Sequence, residues 1–190
     1  MNPRPLCVPT VLVALLAGCG TAPTATGDPQ SAFEPRSEPG SGQQFLARFV
    51  GDWAVEKTIH RRSGEAVVSE GECTQRLVHG GRFLESEFVF HSDGGDSTGT
   101  GVIGFDAESG RFTSFWYDAR STSVSVRQSD ESFDGEEIRL VGRSVDPDQP
   151  ARGSRTVTRF ADDGTTLVHQ QFVPGEGGER LLMVLVLTRK

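Results

Sequence analysis

The chain has 190 residues, of which 19 are Lys or Arg and 26 are Asp or Glu, so its formal net charge is −7. A protein that binds nucleic acid by neutralising phosphates needs a basic surface, and this acidic balance argues against that class. The 23 glycines and 10 prolines are typical of a turn-rich β protein. The length allows one well-filled core.

The amino terminus predicts a protein that is exported and anchored by lipid. Arg4 is followed by the apolar run 8–17, which is shorter than the roughly 20 residues of a spanning helix and is typical of a signal peptide. Leu16-Ala17-Gly18-Cys19 resembles the lipobox of bacterial lipoproteins. That resemblance implies cleavage before Cys19, acylation of Cys19 and contact with membrane lipid. The alternative is an ordinary signal peptide with an incidental cysteine.

These features divide the chain into three segments. Residues 1–18 are the predicted signal peptide, and residues 19–42 are the predicted lipidated cysteine and disordered tether. The tether contains four prolines and few apolar side chains, so it cannot bury enough surface to offset the entropy lost on ordering. Residues 43–190 are the predicted folded domain. We expect it to lie in the cell envelope, on the periplasmic or extracellular side of a bacterial membrane.

The folded domain is predicted to be all-β after one short helix. Ser41 with Gln44 resembles a capping box and starts a helix that ends near Gly51. From Trp53 onward, polar and apolar residues alternate and glycine-rich turns separate the runs. The ten predicted strands are a first one from Trp53 to about His60, and then 66–79, 82–91, 99–105, 111–118, 122–129, 136–143, 154–161, 165–173 and 180–189.

Short strands joined by tight turns, without a long crossover helix, favour an antiparallel up-and-down β-barrel, because closure removes the exposed edges of the sheet. The last strand is apolar on both faces over Leu181–Leu187. We therefore expect this strand to be buried on both sides, with the short helix over it.

Two short motifs at the ends of the domain resemble a known signature. Gly51-Asp52-Trp53 and Arg189 are similar to the signature of the calycin superfamily, which includes lipocalins and fatty-acid-binding proteins. The resemblance implies that Arg189 stacks on Trp53 and closes the barrel. The layout also resembles domain of unknown function 1579, through segments such as His79–Leu84 and Phe115–Asp118.

A closed barrel of this strand number encloses a cavity larger than one core residue, so we expect it to bind a small, mostly hydrophobic ligand. The candidate ligand-binding residues are two histidines expected within strands, two aromatic residues and one of the strand arginines: His60, Trp116, Tyr117, Arg127 and His169. An arginine inside the barrel would hold an anionic head group, whereas an arginine outside is simply solvated. The alternative function is a non-catalytic envelope protein that uses the barrel as a scaffold, with a protein partner that the sequence does not identify.

No cofactor, metal or reaction is predicted. The ten-stranded nitrobindin barrels have a glycine-rich haem signature near the first tryptophan, but Trp53 is followed by Ala54-Val55-Glu56-Lys57, so we expect no haem. The four histidines lie on separate segments without the spacing of metal ligands. The G-x-S-x-G and G-x-G-x-x-G patterns at 95–99 and 99–104 lack the following helix that their chemistry needs. Cys73 is predicted to be a buried, inert thiol.

Overall fold

The structure is a computed structural model that describes residues 38–144, 148 and 153–190. The predicted signal peptide, Cys19 and the tether up to residue 37 lie outside the described residues. Within the described ranges, no helix combines the length and the apolar character needed to cross a lipid bilayer.

The described residues form one short helix and ten strands. They are α1 (Ser41–Ala47), β1 (Gly51–Ile59), β2 (Val67–Val78), β3 (Phe83–Phe90), β4 (Ser97–Asp106), β5 (Arg111–Asp118), β6 (Ser125–Gln128), β7 (Glu137–Arg143), β8 (Arg155–Phe160), β9 (Leu167–Gly175) and β10 (Gly178–Arg189). Each strand pairs antiparallel with its neighbours in the sequence, and β1 also pairs with β10, so the barrel is closed. The predicted fold class is confirmed.

The alternation in the sequence determines which side chains face the interior. Successive residues of a strand point to opposite faces of the sheet. Buried positions accordingly recur at every second residue, as at Trp53 and Val55 in β1 or Ile138 and Leu140 in β7. One face of each strand therefore contributes to a common interior, and the other face forms the outer surface.

One end of the barrel, which we call the helix end, is filled by α1 and aromatic rings. Phe45 and Phe49 are buried. The Phe45 ring centroid lies 5.0 Å from that of Phe133, and the Phe49 centroid lies 5.2 Å from that of Phe160. Edge-to-face and tilted contacts at these distances are favourable for aromatic pairs. The rings and α1 together form the floor of the barrel interior.

The start of α1 differs by one residue from the predicted capping pair. The N-cap is Gly40, and its N–H donates to Oε1 of Gln43 at 2.7 Å. Nε2 of Gln43 donates to the carbonyl of Phe105 in β4, also at 2.7 Å. Gln43, and not the exposed Gln44, therefore caps the helix and ties it to the barrel.

The expectation that the last strand is buried on both faces beneath the helix is wrong. In β10, the inward Leu185 and Leu187 are buried, whereas the outward Val184 and Val186 are only half-buried. The main strand contacts of α1 are with β3 and β4. The helix lies across the end of the barrel and not along its side, and valine is well suited to a half-buried strand surface.

Candidate functional site

The first and last strands meet at a contact between Trp53 and Arg189. The two residues are register partners in the β1–β10 pair, and the guanidinium carbon lies 4.4 Å from the centroid of the Trp53 ring. The indole is fully buried, and its Nε1–H donates to the carbonyl of Phe49 at 2.9 Å. A cation over an indole face is attracted to the ring. This contact therefore holds the seam of the barrel.

The same arginine also holds the end of the helix. Nη1 of Arg189 donates to the carbonyl of Val50 at 2.8 Å, and Nη2 donates to that of Arg48 at 2.6 Å. Carbonyls at a helix C-terminus have no partner within the helix. Gly51 has a φ of 141°, and a Cβ there would lie 2.7 Å from Nη1 of Arg189, so this position requires glycine. We call Gly51, Trp53 and Arg189 the closure contact.

Beyond the helix end, the interior opens into a cavity of about 430 Å³. This volume lies in the range of small-molecule sites, about 300–1,000 Å³. Most of the wall is apolar, with side chains that include Phe88, Phe90, Ile103, Trp116, Met183 and Leu185.

Trp116 forms one side of the cavity because two glycines of β4 leave room for its ring. A Cβ at Gly99 would lie 2.3 Å from the indole, and one at Gly101 would lie 3.4 Å from it. The indole Nε1–H donates to Oδ2 of Asp118 at 3.1 Å, and the ring packs edge-on against Phe88. Gly99 and Gly101, the first two glycines of the G-x-G-x-x-G pattern, thus allow the Trp116 ring to pack against β4.

His169 projects into the cavity from β9. It is a lining residue of the cavity and is half-buried. Its Nδ1 shares a hydrogen bond of 2.8 Å with Oγ1 of Thr158. Burial, and secondly the positive charge of Arg127, lower the pKa of His169 from 6.5 to about 4. The imidazole is therefore neutral at neutral pH.

Arg127 enters the same cavity from β6, where Ser114 and Gly142 are its register partners. Its Nε is buried without a hydrogen-bond partner, and burial lowers its pKa. None of the ion pairs in the described part of the chain includes Arg127. A guanidinium remains protonated in proteins, so the cavity contains a positive charge that none of the described residues neutralises.

Two further cations border the cavity. Nζ of Lys57 lies 4.1 Å from the Phe90 ring centroid. Burial, followed by repulsion from Arg120, lowers the pKa of Lys57. Nη2 of Arg120 lies 2.9 Å from Oδ2 of Asp118, and this hydrogen bond is the main reason that the pKa of Asp118 falls to about 2. Among the described residues that line the cavity, none is Asp or Glu.

The structure brings three of the five predicted ligand-binding residues to the cavity, namely Trp116, Arg127 and His169. The other two lie elsewhere. His60 follows the end of β1, where its N–H donates to the carbonyl of Leu182 and its own carbonyl accepts from Arg180. Tyr117 is 48% exposed on the outer surface. The expected positions of His60 and Tyr117 inside the barrel are therefore not what the structure shows.

The alternation of side chains along a strand explains why Tyr117 and His60 lie outside the cavity. It also explains why Lys57, which was not predicted, lines it. Since Trp116 faces inward, its neighbour Tyr117 must face outward. In β1, Lys57 and Ile59 line the cavity, so His60 falls on the other face. Lys57 shares an alternating face with Trp53, and this spacing could have identified it as a cavity residue from the sequence.

Metal and thiol chemistry receive no support from the described residues. No group of three or more His, Cys, Asp or Glu side chains there could hold a metal ion. Cys73 is a free, buried cysteine, as the alternating pattern of β2 predicts. Burial raises the pKa of its thiol, so the reactive thiolate is not populated at neutral pH.

Ten antiparallel strands closed around a mostly apolar cavity define an all-β barrel with an internal cavity. Residues 38–189 match the family described as "Protein of unknown function (DUF1579)", and the chain belongs to this family. A comparison with curated proteins finds no match. Fourteen solved chains match, among them "Crystal Structure of Rv2717c from M. tuberculosis". That structure has a TM-score of 0.56 and 19% identity, and the match covers 80% of this chain and 99% of that one. The likeness concerns the fold alone.

Proposed function

We propose that the barrel binds a small, mostly hydrophobic ligand in its cavity. The observation that carries this proposal is the space of about 430 Å³ with a largely apolar wall and a few polar groups. Protein interiors are packed as densely as organic crystals, and voids larger than a water molecule are few. An empty cavity reduces stability in proportion to its volume, so a barrel without a ligand would be expected to fill it with side chains.

The binding test uses a variant that fills the cavity. Ser114→Phe places a ring in the cavity from β5, whereas Thr113→Phe places the same ring on the outer face of that strand. We expect phenylnaphthylamine, a neutral fluorophore that brightens in apolar surroundings, to bind the full-length chain and the Thr113→Phe control but not Ser114→Phe. Equal binding to both variants would contradict a ligand site inside the barrel. Native mass spectrometry of protein from its own host is expected to show a co-purified small molecule.

We further propose that acylated Cys19 anchors the barrel at the outer face of a bacterial membrane. The support is Leu16-Ala17-Gly18-Cys19 after an apolar run, and the proline-rich segment that follows. A clickable fatty acid fed to cells is expected to label the wild type and Cys73→Ala, but not Cys19→Ala. Label retained in Cys19→Ala would contradict the anchor.

We also propose that the barrel follows the calycin plan without haem. The support is the sequence after Trp53, which has no glycine-rich loop. Hemin added to the purified chain is expected to produce no shift of its Soret absorption band. A shifted band that disappears in His169→Ala would contradict this proposal.

A second candidate function is that of an envelope interaction protein, with the barrel as its scaffold. An exposed apolar area on β5 and in the loop after it favours this function: Phe115 is 45%, Tyr117 48% and Val124 47% exposed. Crosslinking in cells would then capture one stoichiometric protein with the wild type and lose it with Tyr117→Ser. Fluorophore binding in the cavity would be the same in both.

A further inference from the structure

Arg127 carries a positive charge that no described residue neutralises, and its Nε is buried. Its Nε has no hydrogen-bond partner. The outward arginines differ, since Arg76 lies 2.9 Å from Glu87 and Arg155 lies 2.8 Å from Glu179. A buried charge without a counter-ion destabilises the folded state. No acidic residue in the described ranges forms an ion pair with Arg127.

The surroundings of Arg127 add positive charge and no negative charge. The titratable groups among the described residues that line the cavity are Lys57, Arg120, Arg127 and His169. The carboxylate of Asp118, which contacts two lining residues, pairs with Arg120 and accepts from the Trp116 indole. An anion that enters the cavity can therefore bind the guanidinium of Arg127 without displacing a described carboxylate of the protein, which is not the case for Arg120.

We propose that the ligand is an amphiphile with a single anionic head group, and that Arg127 binds this head group while the apolar part lies against the rings and aliphatic side chains of the cavity. The inference rests on the proposed ligand-binding function and adds the charge of the ligand and the residue that holds it. A guanidinium binds a carboxylate or a phosphate ester through paired hydrogen bonds. Ser114 is the register partner of Arg127 and also lines the cavity, and we expect its hydroxyl to donate to the same head group.

Three probes with the same apolar chain separate charge from hydrophobicity. Decanoate, decyl phosphate and decanol are each used at about pH 7 to displace phenylnaphthylamine from the full-length chain, purified without detergent. We expect at least one anionic probe to bind about tenfold or more tightly than decanol, because charge-assisted hydrogen bonds are about twice as strong as neutral ones. The stronger of the two anions identifies the head group.

Arg127→Met tests the residue itself. The variant removes the charge and retains apolar volume, so we expect the affinity for the preferred anion to fall about 10- to 100-fold, which corresponds to about 1.4–2.8 kcal/mol. The affinity for decanol should stay within about twofold. The matched control is Arg120→Met, which also borders the cavity but already has Asp118 as its partner. We expect it to retain the preference for the anion.

Thermal unfolding without ligand distinguishes a binding role from a structural one. Removal of an unpaired buried charge should leave the melting temperature of Arg127→Met unchanged or raise it, whereas loss of a structural arginine would lower it. Equal affinity for all three probes, or a preference for the anion that survives Arg127→Met, overturns the assignment and leaves the proposed function in place. Failure of the fluorophore to bind the wild type overturns both.

Discussion

The two regions of the barrel interior are filled in opposite ways. At the helix end, Trp53 and Leu46 are fully buried, aromatic rings interlock, and Arg189 uses its guanidinium on two carbonyls and an indole. In the cavity region, the wall borders empty volume, and the buried Nε of Arg127 has no hydrogen-bond partner among the described residues. Dense packing stabilises a fold, whereas a cavity and an unpaired charge destabilise it. The comparison indicates that stability resides at one end and the capacity to bind at the other.

The largest expected effect is at the helix end. Trp53→Ala removes a fully buried indole, its hydrogen bond to Phe49 and the surface on which Arg189 stacks. We expect a loss of about 3–5 kcal/mol in the free energy of unfolding, measured in urea. Trp116→Ala is the matched control, because its partly buried ring already borders empty space. Equal losses in the two variants would contradict the division of the interior into two regions.

The next effect concerns the cavity region and depends on pH. The pKa of His169 is about 4 in the folded chain and close to 6.5 when exposed. Between these values the unfolded chain binds more protons than the folded one, so this group makes stability rise with pH. As pH falls from about 6.5 to about 4, the wild type should lose about 3 kcal/mol relative to His169→Gln. The measurement is the free energy of unfolding of both proteins in urea across this pH range. An equal change in the two proteins would show that the imidazole is not buried in the neutral form.

A smaller loss is expected from Arg189→Met. The variant removes two hydrogen bonds from a charged donor and the cation–π contact with Trp53. We expect a loss of about 2 kcal/mol in the free energy of unfolding. Arg139→Met, an arginine on the outer surface that pairs with Glu137, is the control and should change stability by about 0.5 kcal/mol or less. Equal effects would exclude a special role for the closure contact.

The smallest expected loss of stability distinguishes the role of Gln43 from that of the adjacent Gln44. Gln43→Ala removes the bonds to Gly40 and Phe105 and leaves a buried carbonyl without its partner. We expect a loss of about 1 kcal/mol, measured in the same urea titration. Gln44→Ala changes an exposed helix position and should have no measurable effect. The opposite result would favour the predicted capping pair of Ser41 and Gln44.

The strands of the barrel could be predicted because their signals are local. Alternation and glycine turns depend only on neighbours in the sequence, and β5 and β7, for example, end within one residue of the predicted positions. The site of helix packing could not be predicted. It depends on contacts between residues far apart, such as Gln43 and Phe105, and an apolar outer face on β10 gave the wrong answer.

The candidate site could be predicted in part. Alternation alone is enough to assign Trp116 and Tyr117 to opposite faces, and to join Lys57 to the face of Trp53. It does not determine which of the two faces is internal at a polar position such as Arg127. That assignment depends on the register with Ser114 and Gly142 in neighbouring strands, and the missing counter-ion becomes visible only when all ten strands are in place.

The hydrogen bond from Arg189 to the carbonyl of Arg48 joins residues 141 positions apart in the sequence. Contacts of such long range form late, because the entropy of closing a long loop must be overcome before they contribute. Until then β1 and β10 both have an unpaired edge, which is prone to associate with other chains. Folding is therefore expected to pass through an open sheet. The tendency of this sheet to aggregate depends on how quickly β10 pairs with β1.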